Sequence, residues 1–536
     1  MENKKYLGVM VDCSRNAVLN VKAVKRLIDI LAKMGYNMLM LYTEDTYEVD
    51  NQPMFGYLRG RYTKKEIKEI VNYGEEKGIE LIPCIQTLAH LNQIFRWKEY
   101  KEINDCEDIL LCDDERTYKL IEDMFSTLSQ CYKTPWVHIG MDEAHSLGSG
   151  KYKQLHGEQN RFEILKHHLE KVAEIAAKYN FKPMMWSDMF FRLATGGLYD
   201  TKDPNIITPE IAACVPESVE LVYWDYYSRS KEHYDTMVAA HKNFQKPMWF
   251  AGGAWTWTGF APHNKMSFEL TRPAMQTCRE QQVDNVFFTC WGDGGAECSV
   301  FHVLPTLFYA AEIYRGNDDE ELIAKRFKDI IGIDFNEFTK LDYPGAPNDE
   351  EGNHDRNCDR GMLYNDAFMG ISDNVVESFG GISERYKKFA EELRVHENNP
   401  DFGLMFKSAA IHCELLSVKA ELGINTRKAY ESGDKKALAD VVELYKKAEQ
   451  LTDEFFYAYR RLWLHDKKGP GFEVQDVRIG GLRYRLTDCR MRLEEYLNGE
   501  IDTIDDLDQK LIAVYDKFYG WANNGYWKNG VTTSII

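Results

Sequence analysis

Tyr6-Leu-Gly-Val-Met-Val-Asp12 is a short apolar run that ends in the turn Asp12-Cys-Ser-Arg-Asn16. An amphipathic segment over residues 21–34 and a second apolar run over 37–42 follow it, the rhythm of parallel strands joined by a crossover helix. The turn decides between two architectures. A doubly wound open sheet usually carries a G-x-G-x-x-G turn after its first strand, and this turn has no glycine. The rhythm continues to about residue 315, with strands predicted over 6–12, 37–42, 79–85, 136–139, 182–186, 220–224, 247–250 and 285–290. Helical patterns lie between them at 21–34, 64–77, 114–131, 161–179, 231–243, 268–281 and 300–314, the second opened by the capping-box pattern Thr63-x-x-Glu66. Eight strands alternating with helices predict a (β/α)8 TIM barrel over residues 1–318.

Beyond about residue 320 strand patterns vanish. Helical segments are expected near 365–396, 402–430, 434–464 and 476–498, with a shorter one near 505–522, so residues 319–536 read as an all-α C-terminal domain. The polar stretch 342–358, with Pro344, Gly345, Pro347 and Gly352, reads as a loop. Trp521, Tyr526 and Trp527 are expected to dock the tail on the barrel.

Composition narrows the function. Lys plus Arg number 66 against 85 Asp plus Glu, a net charge of −19 that repels a phosphate backbone, so nucleic acid is not an expected partner. Twelve cysteines without a C-x-x-C pair suggest neither a disulfide framework nor a zinc knuckle, and Cys13 and Cys290 read as bystanders. The first apolar run stops at Asp12, too short for a signal-peptide core, and no later run reaches the ~18 residues of a membrane span. A cytoplasmic protein without a membrane partner is expected.

In barrels the active site is built at the C-terminal ends of the strands. Those positions hold Arg15, Glu44-Asp45, His90, Asp142-Glu143, Trp186-Ser-Asp188, Trp224-Asp-Tyr-Tyr227, Trp255-Thr-Trp257 and Trp291-Gly-Asp293. The sharpest feature is Trp136-Val-His-Ile-Gly-Met-Asp-Glu-Ala-His145, a short strand ending in two adjacent carboxylates. Neighbouring side chains on a strand point to opposite faces, so both acids face one cleft only if the chain bends, which Gly140 permits. Two carboxyls in one aromatic-walled cleft separate in protonation, one held neutral as an acid and one charged. Glycosidic bond cleavage has that requirement. The tryptophans suit the apolar faces of a pyranose, and Arg15 with Asp293 suits its hydroxyls.

His138-Ile-Gly-Met-Asp-Glu143 resembles the H-x-G-x-D-E signature of family 20 glycoside hydrolases, the β-N-acetylhexosaminidases, with Met141 where many members have a second Gly. Arg15, His90 in Thr87-Leu-Ala-His90, Trp186, Trp224 and Trp291-Gly-Asp293 match the family's sugar-binding positions in order, over roughly residues 5–315. The resemblance implies an exo-acting retaining enzyme with no cofactor. Its partner would be a terminal β-linked N-acetylhexosamine, GlcNAc or GalNAc, of oligosaccharides or glycoconjugates. Glu143 would be general acid and then base, and Asp142 would orient the substrate's own 2-acetamido group, whose oxygen attacks to give an oxazolinium intermediate. After the seventh strand, where many members place a Tyr and an Asp, the chain reads Gly253-Ala-Trp-Thr-Trp-Thr258; Trp255 and Trp257 are taken as substrate contacts, and Tyr226 or Tyr227 as the phenol for the acetamido oxygen. Asp293 stands where relatives often carry Glu. The resemblance implies a compact branch of the family, in which the zincin-like N-terminal domain is expected to be absent and a helical C-terminal domain present, and a homodimer is compatible with it.

Glu44, Asp45 and His138 are expected to support the site: either acid orients Arg15 or His90 or caps the next segment, and His138 positions the acid pair. Glu297 reads as structural, with a reserve role beside Asp293. Two other classes use the same residues. A metal-dependent barrel hydrolase would draw ligands from His90, His138, Asp142 and His145, and a glycan-binding protein without catalysis would use the aromatic cleft but has no need of paired acids.

Overall fold

The computed structural model describes residues 4–348, 357–514, 518 and 527–536. Eight parallel strands close into a barrel: β1 (Tyr6–Asp12), β2 (Met38–Tyr42), β3 (Glu80–Cys84), β4 (Trp136–His138), β5 (Lys182–Trp186), β6 (Glu220–Trp224), β7 (Met248–Gly253) and β8 (Asn285–Cys290). Each pairs with its neighbours in sequence, and β1 closes on β8 in the register Tyr6↔Asn285 to Val11↔Cys290. All eight predicted strands are present. The (β/α)8 reading therefore holds, as does the helical character of the C-terminal region, which among its described residues contains no strand.

Side-chain alternation fills the barrel. Met10, Met38, Met40, Tyr42, Ile82, Cys84, Met184, Trp186, Val222, Trp249, Ala251 and Phe287 form one buried cluster, all from alternate positions along their strands. Tyr42 and Trp186 are the last inward residues of β2 and β5, so two aromatic rings join Cys84 of β3 at the cluster's upper end. Thr63 and Glu66 make the expected reciprocal cap on the helix Lys64–Glu76. A short antiparallel ribbon, Asn104–Cys106 with Ile109–Leu110, follows β3 and was not predicted.

The chain divides into two compact units. The first comprises residues 1–254, 267–291 and 306–332; the second comprises 255–266, 292–305 and 333–536. In the second, the expected segment at 365–396 is two helices, Asp373–Ser378 and Ile382–Arg394, parted by Gly380 and Gly381 with φ of 53° and 66°. The one at 402–430 is also two, Gly403–Lys419 and Leu422–Glu431. The longest helices are Lys435–Asp466, capped by the Asp434 carboxylate on the Lys436 and Ala437 amides, and Glu473–Asn498. The segment expected over 505–522 is helical only at Asp505–Asp508 within its described part, and 509–514 are irregular. Residues 349–356 of the predicted loop, and Trp521 and Tyr526 of the predicted tail contact, lie outside the described residues. Trp527 begins the short helix Trp527–Val531, its ring 5.8 Å from the Arg478 guanidinium. Among the described residues no helix is long and apolar enough to cross a membrane.

Candidate active site

The chain bends directly after β4. Gly140, Met141 and Glu143 take φ of 71°, 68° and 51°, so three of four consecutive residues are left-handed. For Met141 and Glu143 this costs roughly 1–3 kcal/mol each and persists only where the surroundings enforce it. Three side chains do so: the Gly140 amide donates to His138 Nδ1 at 3.1 Å, the Met141 amide to Gln86 Oε1 at 3.1 Å, and the Glu143 amide to Asp188 Oδ2 at 3.4 Å. A Cβ on Gly140 would lie 2.0 Å from Gln86 Oε1, so the glycine answers both to its φ and to this close approach.

The bend separates the two acids by environment. Asp142 keeps 13% of its side chain exposed and Glu143 46%. Asp142 Oδ1 accepts from Gln86 Nε2 at 2.8 Å, and Oδ2 faces His90 Nε2 at 3.2 Å. Burial works against its charge, but the His90 cation and the Gln86 hydrogen bond prevail and hold the carboxyl below its ordinary value. His90 moves the other way: burial opposes its protonation, and Asp142 overrides burial and raises it well above an ordinary histidine. The pair is thus a carboxylate and an imidazolium. His90 also lies 3.8 Å from Glu143 Oε2, and Asp108 Oδ2, at the tip of the short ribbon, accepts from its amide at 3.0 Å.

Glu44, 3% exposed, binds Arg15 at 3.2 Å and accepts from Tyr42 Oη at 3.1 Å. Burial raises its carboxyl and Arg15 opposes that rise. Of the two acids predicted to support the site, Glu44 orients Arg15, whereas Asp45 binds Arg59 at 3.1 Å. Arg59 in turn donates to the Ser14 carbonyl and to Asn16 Oδ1, holding the turn that carries Arg15. His138 is fully buried, its ring 4.4 Å from that of Trp186, and burial lowers its pKa to about 3. Since Nδ1 accepts from Gly140, the neutral ring carries its proton on Nε2, and its part is to hold the bend.

Tyr42, Trp186 and Trp291 wall the first unit's site: Trp291 is 4.9 Å from Tyr42 and 6.2 Å from Trp186, centre to centre. Trp224 stacks on Tyr226 at 5.2 Å and packs on Tyr199 at 4.7 Å. The two candidate tyrosines differ. Tyr226 is 6% exposed, bonds Thr289 and Trp291, and feels the charge of Asp142; Tyr227 is 43% exposed, with its amide on Asp225. Trp255, Trp257 and Asp293 belong to the second unit, where the two indoles are buried and stacked at 4.5 Å. Glu297 is buried in that unit between Arg360 and Arg478, at 2.6 and 2.8 Å, a structural ion-pair cluster.

One atom each from His90, Asp142 and Glu143 lie within 4.8 Å of one another, a set that could hold a metal ion. The protonated state that Asp142 enforces on His90 opposes this, because an imidazolium has no lone pair to offer. Of the other suggested ligands, His138 is committed to Gly140 and His145 is exposed. Gln86, Asp108 and Asp188 also hold the site and were not among the predicted site residues. Asp188 stands two residues beyond β5, where strand-end position was the available signal; Gln86 and Asp108 carry no motif.

Residues 5–247 match the model for the glycosyl hydrolase family 20 catalytic domain, and residues 334–522 match that for the glycoside hydrolase 20C C-terminal domain. Hexosaminidase D of Bos taurus is 24% identical over 247 residues, 44% of this chain and 66% of the relative. Hexosaminidase D of Homo sapiens is 24% identical over 221 residues, 40% and 43%. The chain thus spans less than two thirds of each. Among solved structures, the GH20 exo β-N-acetylglucosaminidase of Vibrio harveyi in complex with N-acetylglucosamine is similar over 62% of this chain and 58% of that one, with 16% identity and a TM-score of 0.47.

Proposed function

Because the chain belongs to glycoside hydrolase family 20, we propose that it is an exo-acting β-N-acetylhexosaminidase that removes terminal β-linked GlcNAc or GalNAc with retention, using the substrate's acetamido group as nucleophile. The observation that carries this reading is the asymmetry of the acid pair. One bend presents a braced carboxylate, held charged by His90 and Gln86, beside a more exposed carboxyl.

Asp142, fixed at both oxygens, accepts the acetamido N–H and steadies positive charge as the acetamido oxygen closes on the anomeric carbon. Being charged beforehand, it stabilises that charge without reorganising. Glu143 gives its proton to the leaving oxygen, then takes one from the water that opens the oxazolinium. Adjacent acids suit this division of labour, since neither must reach the far face of the ring. Tyr226, buried against Trp291 and near Asp142, is better placed than Tyr227 to donate to the acetamido oxygen. Arg15, oriented by Glu44, binds sugar hydroxyls, and Trp186 and Trp291 line the acetamido side. Trp224 completes the contacts proposed from the first unit.

Rates on aryl β-GlcNAc, β-GalNAc and β-glucose glycosides compared side by side test the reading. Turnover of one or both N-acetyl sugars, with the glucoside at background, is expected. Equal turnover of the glucoside would overturn it.

A further inference from the structure

Asp188 takes no part in the chemistry derived above, yet its side chain is wholly buried beside both acids. It opens the helix Asp188–Thr195 two residues beyond β5, and its Oδ2 receives both the Glu143 amide at 3.4 Å and Arg192 Nε at 3.3 Å. Arg192 is fixed in turn by the Gly197 carbonyl at 2.9 Å, and the preceding residue, Ser187, by His241 at 2.8 Å and Tyr199 at 3.2 Å. Its second oxygen, Oδ1, is buried without a hydrogen-bond partner. A buried carboxyl left half-satisfied is costly and is kept for a reason other than packing. Of the three side chains that enforce the bend, Asp188 alone holds the residue that donates the proton, and Glu143 is itself left-handed at 51°.

We propose that Asp188 is a positioning residue for proton donation: through the Glu143 amide it fixes the left-handed turn that aims the Glu143 carboxyl at the leaving-group oxygen. The hydrogen bond is long, at 3.4 Å, and catalytic hydrogen bonds commonly shorten when substrate binds. The charges facing the carboxyl fit that role. Burial, then Asp142, raise its pKa and Arg192 opposes them, to about 7, so near neutrality it accepts from the Glu143 amide without adding a full negative charge to the pair. The inference rests on the reading of Glu143 as the acid.

The test is the dependence on leaving group. A phenyl N-acetylglucosaminide needs its oxygen protonated, whereas a 2,4-dinitrophenyl one departs as the anion. For Asp188→Ala, kcat/KM should fall about 30-fold on the phenyl glycoside and less than about 3-fold on the dinitrophenyl one, as loss of aim in general acid catalysis requires. Asp188→Asn keeps a carbonyl oxygen able to accept from the Glu143 amide and should return to within about 5-fold of wild type on the phenyl substrate. Equal losses on both leaving groups, or an Asn variant as slow as the Ala variant, would overturn the assignment. Failure of the wild-type protein to cleave either glycoside would instead overturn the proposed function.

Discussion

Replacing Gln86 by leucine, of similar size, removes one side chain that braces the bend twice and also donates to Tyr42 Oη at 3.0 Å. Its amide nitrogen donates to Asp142 Oδ1 at 2.8 Å and its oxygen accepts from the buried Met141 amide at 3.1 Å. The first bond has a charged acceptor and is worth about 1.5–3 kcal/mol. If Asp142 must be held still while charge develops on the acetamido group, that loss falls on the transition state, and at about 1.4 kcal/mol per decade kcat drops by about 10- to 100-fold. The second loss leaves a buried N–H without its acceptor, about 1–3 kcal/mol of stability. Steady-state kinetics on an aryl N-acetylglucosaminide measure the first effect and denaturant unfolding the second. A Gln86→Leu protein with kcat within threefold of wild type and unchanged stability would show that neither Asp142 nor the bend depends on this brace.

Glu143→Gln should lower kcat by about 10²- to 10⁴-fold on a poor leaving group, the range for loss of a positioned acid, and a wild-type-like rate would remove Glu143 from that role. Asp188 titrates near 7 in the fold against 3.8 unfolded, so between those values the native state binds the extra proton and stability falls as pH rises, by up to about 4 kcal/mol in total. Asp188→Asn lacks that titration; its stability relative to wild type, from denaturant curves at pH 5 and pH 8, should rise with pH, and a constant difference would contradict the raised pKa. Hydrolysis should survive dialysis against EDTA, because His90 is held as an imidazolium. Loss of activity restored by zinc would favour the metal reading.

Much of the barrel was legible because its strands are apolar runs with abrupt polar ends; 6–12, 182–186, 220–224 and 285–290 match their predicted bounds. The seventh strand runs to Gly253 rather than the predicted Phe250. Ala251-Gly-Gly253 has no strand signal of its own; β8 supplies the ladder, and Gly252 is needed because a Cβ there would lie 2.6 Å from the Phe288 ring. The ribbon at 104–110 is too short and polar to show a period. Arg15, Glu44, His90, Asp142 and Glu143 could be found because charge at a strand end in a barrel is conspicuous. Tyr42 was hidden by its alternation, which reads as core, and Gln86 by being neutral. Which acid serves Arg15, and which tyrosine is buried, depend on how the chain turns after the strand, a property of tertiary packing.

The most direct measurement is a series of aryl N-acyl glucosaminides whose 2-acyl group carries none, one, two or three fluorines. Each fluorine drains electron density from the amide oxygen while leaving the glycosidic bond and the ring hydroxyls alone. If that oxygen is the attacking atom, log kcat/KM falls steeply and linearly along the series. A flat series, or a protein side chain found glycosylated during turnover, would contradict it.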